Sequence, residues 1–479
     1  MPMDGTGIAK ATDMTQLADI GMVGLGVMGA NLTMNLAANG FRVAIFDNDP
    51  DARAALMGSG HADHLIDCAT GAELLSAIRP PRPVILLVPA GASTDAAIEA
   101  LRPDMSAGDL VIDAGNANFH DTRRRAADME AAGLTFLGMG VSGGAEGARH
   151  GPALMAGGSP AIWDRVEPML SAIAARHGDA PCAAWLGPDG AGHFVKTVHN
   201  GIEYADMQMI AEIYGIMRDG LNWSDDQTAE VFRGWADGPL ASYLVEITSE
   251  VASATDPLTG TPMLSVIADR AGQKGTGRWS VIEGHALGAV ASTIEAAVGA
   301  RNLSGLSDLR AGLRRDRFDG SLDVAPKDLH DALHAGKIIA YAQGFDLLAR
   351  ASEEFGWNLD LAAVARVWRA GCIIRSAMLD DIAGAFEQVP GRNLLMADSF
   401  RRDIDRLLPA LRSVIAQATL QALPVPALAN ALSYVDQLSQ PRGTANMLQG
   451  MRDYFGQHGF ERTDRAGSGF HGPWVDERA

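Results

Sequence analysis

A glycine-rich turn lies near the start of the chain, in Ile20-Gly21-Met22-Val23-Gly24-Leu25-Gly26-Val27-Met28-Gly29. The run opens with a strand-like pattern, contains GxGxxG at Gly24, Gly26 and Gly29, and is followed by a helical pattern over Ala30–Asn39. Glycines at these positions permit a tight turn and let the backbone approach a pyrophosphate, which the first N–H groups of the helix can bind. The sequence therefore predicts a dinucleotide-binding Rossmann unit. A glycine-rich turn that only packs a helix on a strand is the alternative.

An acid at the end of the next predicted strand supports a dinucleotide site. Phe41–Phe46 is strand-like, and Asp47-Asn48-Asp49 follows it. Asp47 is placed to accept a hydrogen bond from a ribose 2′-OH. A 2′-phosphate would instead meet two carboxylates, and like charges in contact cost about 1 kcal/mol or more near a surface. These residues favour NAD over NADP, although Arg53, one turn into the following helix, could still reach a phosphate.

The first 190 residues alternate between strand and helix patterns, whereas the later ones are almost entirely helical. Further strand-like runs are Val84–Val88, Leu110–Asp113 and Leu134–Gly138. This predicts an α/β Rossmann-type N-terminal domain with a mostly parallel sheet, then a large all-α domain and an extended C-terminal tail. The expected parts are a loose leader (1–18), the Rossmann domain (19–193), the helical domain (194–448) and the tail (449–479).

Composition and charge exclude several classes of protein. Of 479 residues, 47% are hydrophobic and 20% are charged, as in a soluble globular protein. The 39 basic and 58 acidic residues leave a net charge of −19, so we expect no nucleic-acid partner and no membrane partner. Three widely spaced cysteines, Cys68, Cys182 and Cys372, predict no disulfide framework and fit a cytoplasmic protein.

Four polar residues form a stripe in the helical part. Lys196, His199, Asn200 and Glu203 stand at i, i+3, i+4 and i+7, which is one face of a helix. A desolvated lysine can act as a base, and a glutamic acid in a partly apolar cleft can act as an acid. The alternative is a solvated charge stripe, but the flanking residues are apolar.

Two other glycine-rich segments, Val141–Ala148 and Ala271–Trp279, can place backbone N–H groups beside an anion, and the second adds Lys274. Each could also be a simple linker. Further cations follow at Arg301, Arg452 and His458. We expect no metal, because the nearest candidate, His61-Ala62-Asp63-His64, fits a solvated turn better than a ligand set.

A faint internal repeat runs through the helical part. Glu212 follows Lys196 by 16 residues, and Glu353 follows Lys337 by the same distance. We interpret this as a duplicated helical unit whose second copy lacks the other polar groups of the stripe. Those groups are therefore not packing requirements of the unit.

Five motifs, taken in order, resemble the family of decarboxylating 6-phosphogluconate dehydrogenases. They are Gly24–Gly29, Val141–Arg149, Gly192–Tyr204, Gly272–Trp279 and Arg452–His458. The resemblance covers roughly residues 19–474. It implies oxidation and decarboxylation of 6-phospho-D-gluconate to D-ribulose 5-phosphate and CO2, in the oxidative branch of the pentose phosphate pathway. It also implies a nicotinamide cofactor, NADP in the usual family form, and a homodimer.

The resemblance gives each matching residue a role. Lys196 matches the general base and Glu203 the general acid. The sugar acid's carboxylate and hydroxyls are matched by Asn116, Ser142, Gly143, Gly144, His199 and Asn200. The phosphate pocket is matched by Tyr204, Lys274 and Arg301. Arg452 and His458 match tail residues that reach the neighbouring subunit's substrate. The cofactor is matched by Gly24, Leu25, Gly26, Val27, Met28, Gly29, Asp47, Asn48, Asp49, Val88, Pro89, Ala90 and Asn116.

The sequence departs from the family pattern at the cofactor end. Asp47-Asn48-Asp49 stands where the family has Asn-Arg-Thr, and Val88-Pro89-Ala90 stands where it has Val-Lys-Ala. Both familiar cations are lost, so we predict that NAD is preferred.

Two other functions fit part of the sequence. A related β-hydroxyacid dehydrogenase could act on a smaller acid, but Lys274 and Arg301 would then have no phosphate to meet. A dinucleotide sensor without activity would not need Lys196 and Glu203 together.

Overall fold

A computed structural model of the chain describes residues 17–313 and 322–474. Most of the leader predicted for residues 1–18 lies outside these ranges. Its last two residues belong to the fold rather than to a loose segment. Leu17 and Ala18 are buried, and Ala18 pairs with Ile78 in an isolated parallel bridge.

The N-terminal domain is built on an eight-stranded sheet in the order β10-β7-β6-β5-β4-β1-β2-β3. All neighbours are parallel except β6 and β7. The strands are β1 Ile20–Val23, β2 Val43–Phe46, β3 Leu65–Asp67, β4 Pro83–Leu86, β5 Leu110–Asp113, β6 Thr135–Ser142, β7 Ala153–Gly158 and β10 Ala183–Trp185; β8 Arg176–His177 and β9 Ala180–Pro181 form a separate pair.

Helices cover both faces of the sheet, because its central strands are apolar on both sides. All residues of β1, β4 and β5 are buried, and one apolar cluster lies on each face. The helices of this domain are α1 Val27–Ala38, α2 Pro50–Met57, α3 Gly71–Ser76, α4 Ala92–Leu101, α5 Phe119–Ala131, α6 Gly144–His150 and α7 Pro160–Ile173. The predicted α/β fold with a mostly parallel sheet is confirmed.

Several predicted boundaries were wrong. The first helix begins at Val27 rather than Ala30, because the last GxGxxG glycine already lies in its first turn. The strand predicted as Leu134–Gly138 extends to Ser142. The antiparallel strand β7 was not predicted at all, since Ala-Leu-Met-Ala-Gly-Gly contains neither β-branched nor aromatic residues.

The second domain is helical, as predicted. Its helices are α8 Ala191–Gly215, α9 Asp225–Trp235, α10 Tyr243–Ser253, α11 Met263–Val266, α12 Thr276–Ala286, α13 Ser292–Ser304, α14 Ser307–Gly312, α15 Pro326–Phe355, α16 Leu361–Val367, α17 Met378–Gln388, α18 Asp398–Leu420 and α19 Pro426–Leu438. The two long helices α8 and α15 pack side by side and carry the two copies of the proposed repeat. Within the described ranges, no helix has the length and apolar character needed to span a bilayer.

A separate, small C-terminal unit begins at Ala431, within α19. It contains α20 Ala445–Gly456, so the tail predicted to be extended is helical at its start. Gln457 ends this helix in the left-handed region, and the backbones of Phe460 and Phe470 then pair in an antiparallel bridge.

Candidate active site

The glycine-rich turn lies where the strand order of the sheet reverses. β1 has β4 on one side and β2 on the other, so its carboxyl end borders a crevice. Gly24 has a φ of +92°, and a Cβ there would lie 2.6 Å from the Leu87 carbonyl oxygen. A Cβ on Gly26, by contrast, would meet nothing within 4 Å, and no side chain caps α1. An open approach to free helical N–H groups fits a pyrophosphate.

Asp47, the acid expected at the ribose, also supports the turn itself. Its Oδ2 accepts the Leu25 N–H at 2.6 Å, and its Oδ1 accepts the Asp49 N–H at 2.9 Å. The Asp49 carboxylate accepts the Asp51 N–H at 2.9 Å and caps α2. A carboxylate has about four lone-pair positions, so Asp47 keeps acceptor capacity for a ribose hydroxyl.

Arg53, the cation considered within reach of a 2′-phosphate, is held by other oxygens. Its Nε donates to Asp67 Oδ1 at 2.9 Å, and its Nη1 donates to the Asp47 carbonyl oxygen at 2.7 Å. Only 14% of its side chain is exposed. Pro89, which stands where the family pattern has a lysine, and the adjacent Ala90 are exposed after β4. The two hydrogen bonds of Arg53 use two of the five N–H donors of its guanidinium, and Asp67 partly compensates its positive charge.

The polar stripe lies on α8, which packs directly on the sheet. Gly192 is in the first turn, where a Cβ would collide with the Met155 carbonyl oxygen of β7. Gly140 of β6 has no room for a side chain because a Cβ there would overlap the Cβ of Lys196. These two glycines let the helix and strands approach at backbone distance. Lys196 is consequently buried over β6.

His199 is the centre of the stripe and is fully buried. Its Nδ1 lies 3.4 Å from Lys196 Nζ, 3.1 Å from Asn200 Oδ1 and 3.8 Å from Glu203 Oε2. Its Nε2 lies 3.2 Å from Ser142 Oγ at the end of β6. The structure therefore brings the four predicted stripe residues and Ser142 into one cluster.

Burial shifts the pKa values of the ionisable groups towards their neutral forms. Desolvation lowers the pKa of Lys196, and Glu203 and Cys372 oppose that shift only in part. Desolvation raises the pKa of Glu203 against the positive charges of Lys196 and Arg301. The pKa of His199 lies well below its usual value because of burial and the nearby lysine. The cluster can thus hold a base, an acid and a neutral imidazole together.

Two loops carry other predicted substrate residues. Gly143 follows Ser142 with a φ of +122°, and a Cβ there would lie 2.6 Å from the Gly371 carbonyl oxygen. Gly144 then begins α6. Asn116 is exposed in the loop after β5. Because β5 and β6 are parallel neighbours, both loops lie at the same edge of the sheet as the glycine-rich turn.

Tyr204 and Arg301, predicted to bind phosphate, lie against each other. The Arg301 guanidinium carbon is 3.5 Å from the centre of the Tyr204 ring. Arg301 Nη1 donates to the Gly272 carbonyl oxygen at 3.5 Å, at the start of the segment that carries Lys274. Gly277 in the same segment packs on the tyrosine, since a Cβ there would lie 2.5 Å from the ring.

A buried ion pair behind the loop after β5 was missed by the sequence reasoning. Arg125 Nη1 donates to Asp113 Oδ2 at 3.2 Å, and the two side chains are 2% and 1% exposed. Arg125 Nε also donates to Asp95 Oδ1 at 2.7 Å. Asp113 Oδ1 accepts the Gly115 N–H at 3.1 Å and thereby shapes the loop. Arg125 ends a run of three arginines, which resembles a surface charge cluster.

Two further buried groups near the stripe were also missed. His193 Nδ1 lies 2.7 Å from Thr122 Oγ1, and burial lowers the pKa of His193. Because His193 precedes Lys196 by one helical turn, the spacing could have included it. Burial raises the pKa of Cys372 to about 12, so it remains a thiol. No pattern in the sequence links this cysteine to α8.

Arg452 and His458 belong to the small C-terminal unit. Arg452 Nη1 donates to Gln449 Oε1 at 3.1 Å, and the His458 ring lies edge to face with Phe455 at 6.0 Å. Their substrate role stays a prediction. Among the described residues, no three His, Cys, Asp or Glu side chains gather as metal ligands, and Ala62–His64 is a short 3₁₀ turn.

Comparison with known proteins covers nearly the whole chain. Residues 19–187 match the NAD binding domain of 6-phosphogluconate dehydrogenase, and residues 192–474 match the 6-phosphogluconate dehydrogenase C-terminal domain. The "6-phosphogluconate dehydrogenase, decarboxylating" of Treponema pallidum is 44% identical over 475 residues, which cover 96% of this chain and 97% of that protein. The Escherichia coli protein of the same name is 41% identical over 465 residues, 95% and 99% of the two chains.

A solved structure supports the same relationship. The Plasmodium falciparum 6-phosphogluconate dehydrogenase, described in its apo form and in complexes with NADP+ and 6-phosphogluconate, superposes with a TM-score of 0.90 at 38% identity. The match covers 95% of this chain and 100% of that one. The predicted fold is confirmed, and the protein is an NAD(P)-dependent oxidoreductase. The chain therefore belongs to the 6-phosphogluconate dehydrogenase family.

Proposed function

We propose that this chain oxidises and decarboxylates 6-phospho-D-gluconate to D-ribulose 5-phosphate and CO2, with reduction of a nicotinamide cofactor. The observation that carries the proposal is the pairing of Lys196 and Glu203 on one face of α8. Burial lowers the pKa of the lysine and raises that of the glutamate. Such a pair offers a base and an acid in one site, as a reaction that removes one proton and later adds another requires.

Lys196 is the base of the first step. When bound, the nicotinamide accepts the hydride. Neutral Lys196 Nζ takes the C3 hydroxyl proton as the hydride leaves C3, which gives a 3-keto acid and a lysine ammonium. His199, 3.4 Å from Nζ, is uncharged and can orient the lysine without adding a competing positive charge.

Loss of CO2 requires an electron acceptor next to the carboxylate. The C3 ketone is in the β position, so the electrons of the breaking carbon–carbon bond pass towards its oxygen. The Lys196 ammonium stabilises the negative charge that develops there. Protonated Glu203 then delivers a proton to the carbon that has lost CO2, which becomes C1 of ribulose 5-phosphate.

Cations beside Tyr204 favour a phosphorylated substrate. The Arg301 guanidinium is planar and can bind phosphate in a bidentate manner, and stacking on Tyr204 restricts its orientation. Lys274 lies in the same segment as Gly272, whose carbonyl oxygen Arg301 contacts. A dehydrogenase for a smaller, unphosphorylated acid would have no use for this group.

For the cofactor, we propose a preference for NAD over NADP. A 2′-phosphate near Asp47 would face two carboxylates, Asp47 and Asp49. The nearby cation Arg53 is already bonded to Asp67 and to the Asp47 carbonyl oxygen. Like charges in contact cost about 1 kcal/mol or more near a surface, which corresponds to several-fold weaker binding.

We also propose a homodimer whose active sites are completed by the tail of the neighbouring subunit. The helix α20 leaves one apolar face exposed in the single chain. Its residues are Met447, Leu448, Met451, Tyr454 and Phe455, each at least 49% exposed. An exposed apolar face of this kind is typical of a surface that binds another protein. The three buried, unpaired cysteines further support a cytoplasmic location.

The test is reduced-nicotinamide formation with 6-phosphogluconate, run in parallel with NAD and NADP. We expect turnover with both and a higher kcat/KM with NAD. A higher kcat/KM with NADP would overturn the cofactor preference alone. Absence of turnover with both cofactors would overturn the proposed function. Turnover of a smaller hydroxy acid instead of 6-phosphogluconate would show that the smaller acid is the substrate.

A further inference from the structure

A carboxylate stands at the centre of the C-terminal unit. Asp453 is fully buried and is the only buried residue of α20. It accepts four hydrogen bonds, from the N–H groups of Gly459 and Gly472 at 2.9 Å each, from His471 Nδ1 at 2.6 Å and from Trp474 Nε1 at 2.9 Å.

These four contacts join segments that are distant in the sequence. Gln457 and Gly459 turn the chain sharply after α20, both at positive φ. Phe460 and Phe470 then exchange backbone hydrogen bonds of 2.8 and 3.0 Å, which closes a loop between them. Asp453 links α20, the turn and the residues after the loop. A segment of about 30 residues buries too little apolar surface to hold itself together, so polar contacts must do so.

The Asp453 carboxylate is ionised under working conditions. Burial raises its pKa, but the hydrogen bonds from Gly472, His471, Gly459 and Trp474 outweigh burial and hold the pKa at about 2. Replacing the carboxylate would weaken the bond to the buried Gly459 N–H and those to the partly buried donors of Gly472 and Trp474, which costs more than the loss of a fully exposed hydrogen bond.

We propose that Asp453 is a positioning residue that sets the geometry of Arg452 and His458 for the substrate. Arg452 directly precedes Asp453, and His458 directly precedes Gly459, whose N–H group Asp453 holds. One carboxylate thus fixes the backbone beside both Arg452 and His458. The inference rests on the proposed function, in which these two residues contact 6-phosphogluconate bound to the neighbouring subunit.

The test is steady-state kinetics of full-length Asp453→Asn. We expect the KM for 6-phosphogluconate to rise about tenfold, with kcat within about twofold and the cofactor KM unchanged. Displacing Arg452 and His458 should weaken binding of the substrate and of the transition state equally. Trp474→Phe removes one of the four donors and should raise the same KM less. The matched control is Asp464→Asn in the same loop, an exposed carboxylate paired with Arg462, which should behave as wild type.

Arg452→Ala separates the two proposals. A raised KM in Arg452→Ala with a wild-type KM in Asp453→Asn and Trp474→Phe would overturn the positioning role and leave the shared site intact. A wild-type KM in Arg452→Ala would overturn the shared site itself. If the Asp453 and Trp474 variants lose the dimer while any remaining dimer keeps the wild-type KM, Asp453 serves assembly only and the inference is wrong.

Discussion

Burial lowers the pKa of Lys196 and raises that of Glu203, so each shifts towards the neutral form that its proposed role requires. Lys196→Ala removes the proposed base, and we expect kcat to fall roughly a hundredfold to ten-thousandfold. Binding of 6-phosphogluconate should remain measurable by calorimetry, because the variant leaves the proposed phosphate-binding residues Tyr204, Lys274 and Arg301 in place. Lys327→Ala is the control, since that lysine is 76% exposed on α15. A near-wild-type kcat in Lys196→Ala would remove this lysine from its proposed role.

Glu203→Gln keeps the shape of the acid but cannot deliver its proton. We expect the rate of substrate oxidation to fall less than the rate of ribulose 5-phosphate formation, because the proposed acid acts only after CO2 is lost. Stopped-flow traces should therefore show a burst of reduced cofactor that exceeds the ribulose 5-phosphate released. Equal loss of both signals would place Glu203 in the first step instead.

The buried Arg125–Asp113 ion pair supports the loop after β5, which carries Asn116. Arg125→Met leaves Asp113 as an unpaired buried charge, so we expect a loss of about 3–5 kcal/mol in the free energy of unfolding. Arg124→Met, whose side chain is 49% exposed, should cost about 1 kcal/mol or less. Urea unfolding measures both. Adding Asp113→Asn to Arg125→Met should recover part of the loss, and strict additivity of the two changes would contradict direct coupling.

At the level of elements, sequence spacing predicted what one helix or one strand–turn–helix unit contains. The stripe on α8 follows from positions i, i+3, i+4 and i+7, and the glycine-rich turn follows from its flanking patterns. Contacts between distant elements were not predictable in this way. The approach of α8 to β6 depends on Gly140 and Gly192, each of which looks unremarkable in its own segment. The strand β7 could not be predicted from its own sequence, because its small residues fit a strand only where α8 packs closely on it.

The two long helices show why equivalent sequence positions differ in role. Lys337 on α15 corresponds to Lys196 in the proposed repeat, yet it is buried in an ion pair. Its Nζ donates to Asp206 Oδ2 at 2.7 Å and to Oδ1 at 3.0 Å, and both side chains are 2% exposed. Lys337 thus contacts both oxygens of a carboxylate, whereas the Lys196 ammonium nitrogen lies next to the His199 ring. The duplication itself remains a prediction.

The junction between α8 and α19 should respond to pH through Glu212. This buried carboxylate accepts the N–H groups of Ala427 and Leu428 at 2.8 and 3.0 Å, at the start of α19. Burial raises its pKa from 4.5 to about 7 despite these bonds. The folded protein therefore binds more protons than the unfolded chain between those pH values, so stability falls as pH rises through this window, by about 3 kcal/mol in total.

Glu212→Gln should abolish this contribution, so the difference in unfolding free energy between about pH 5 and about pH 8 should shrink. Urea unfolding at the two pH values measures the effect. Glu354→Gln, an exposed site on α15, is the control and should keep the wild-type difference. An unchanged pH dependence in Glu212→Gln would show that Glu212 titrates normally.

For the whole molecule, the decisive question is whether one subunit's tail completes the other subunit's site. Lys196→Ala damages only the body of a subunit and Arg452→Ala only its tail, so co-expression with two different tags isolates dimers that carry one of each. In each mixed dimer, one of the two sites combines the intact body of one subunit with the intact tail of the other. Because random assembly makes about half of all dimers mixed, roughly a quarter of all sites in the unpurified mixture should be restored. A tail that serves its own subunit would leave every site damaged, and no activity above the two parent variants would appear. Recovery of activity in the purified mixed dimer, with a wild-type KM for 6-phosphogluconate, therefore distinguishes a shared site from a self-contained one.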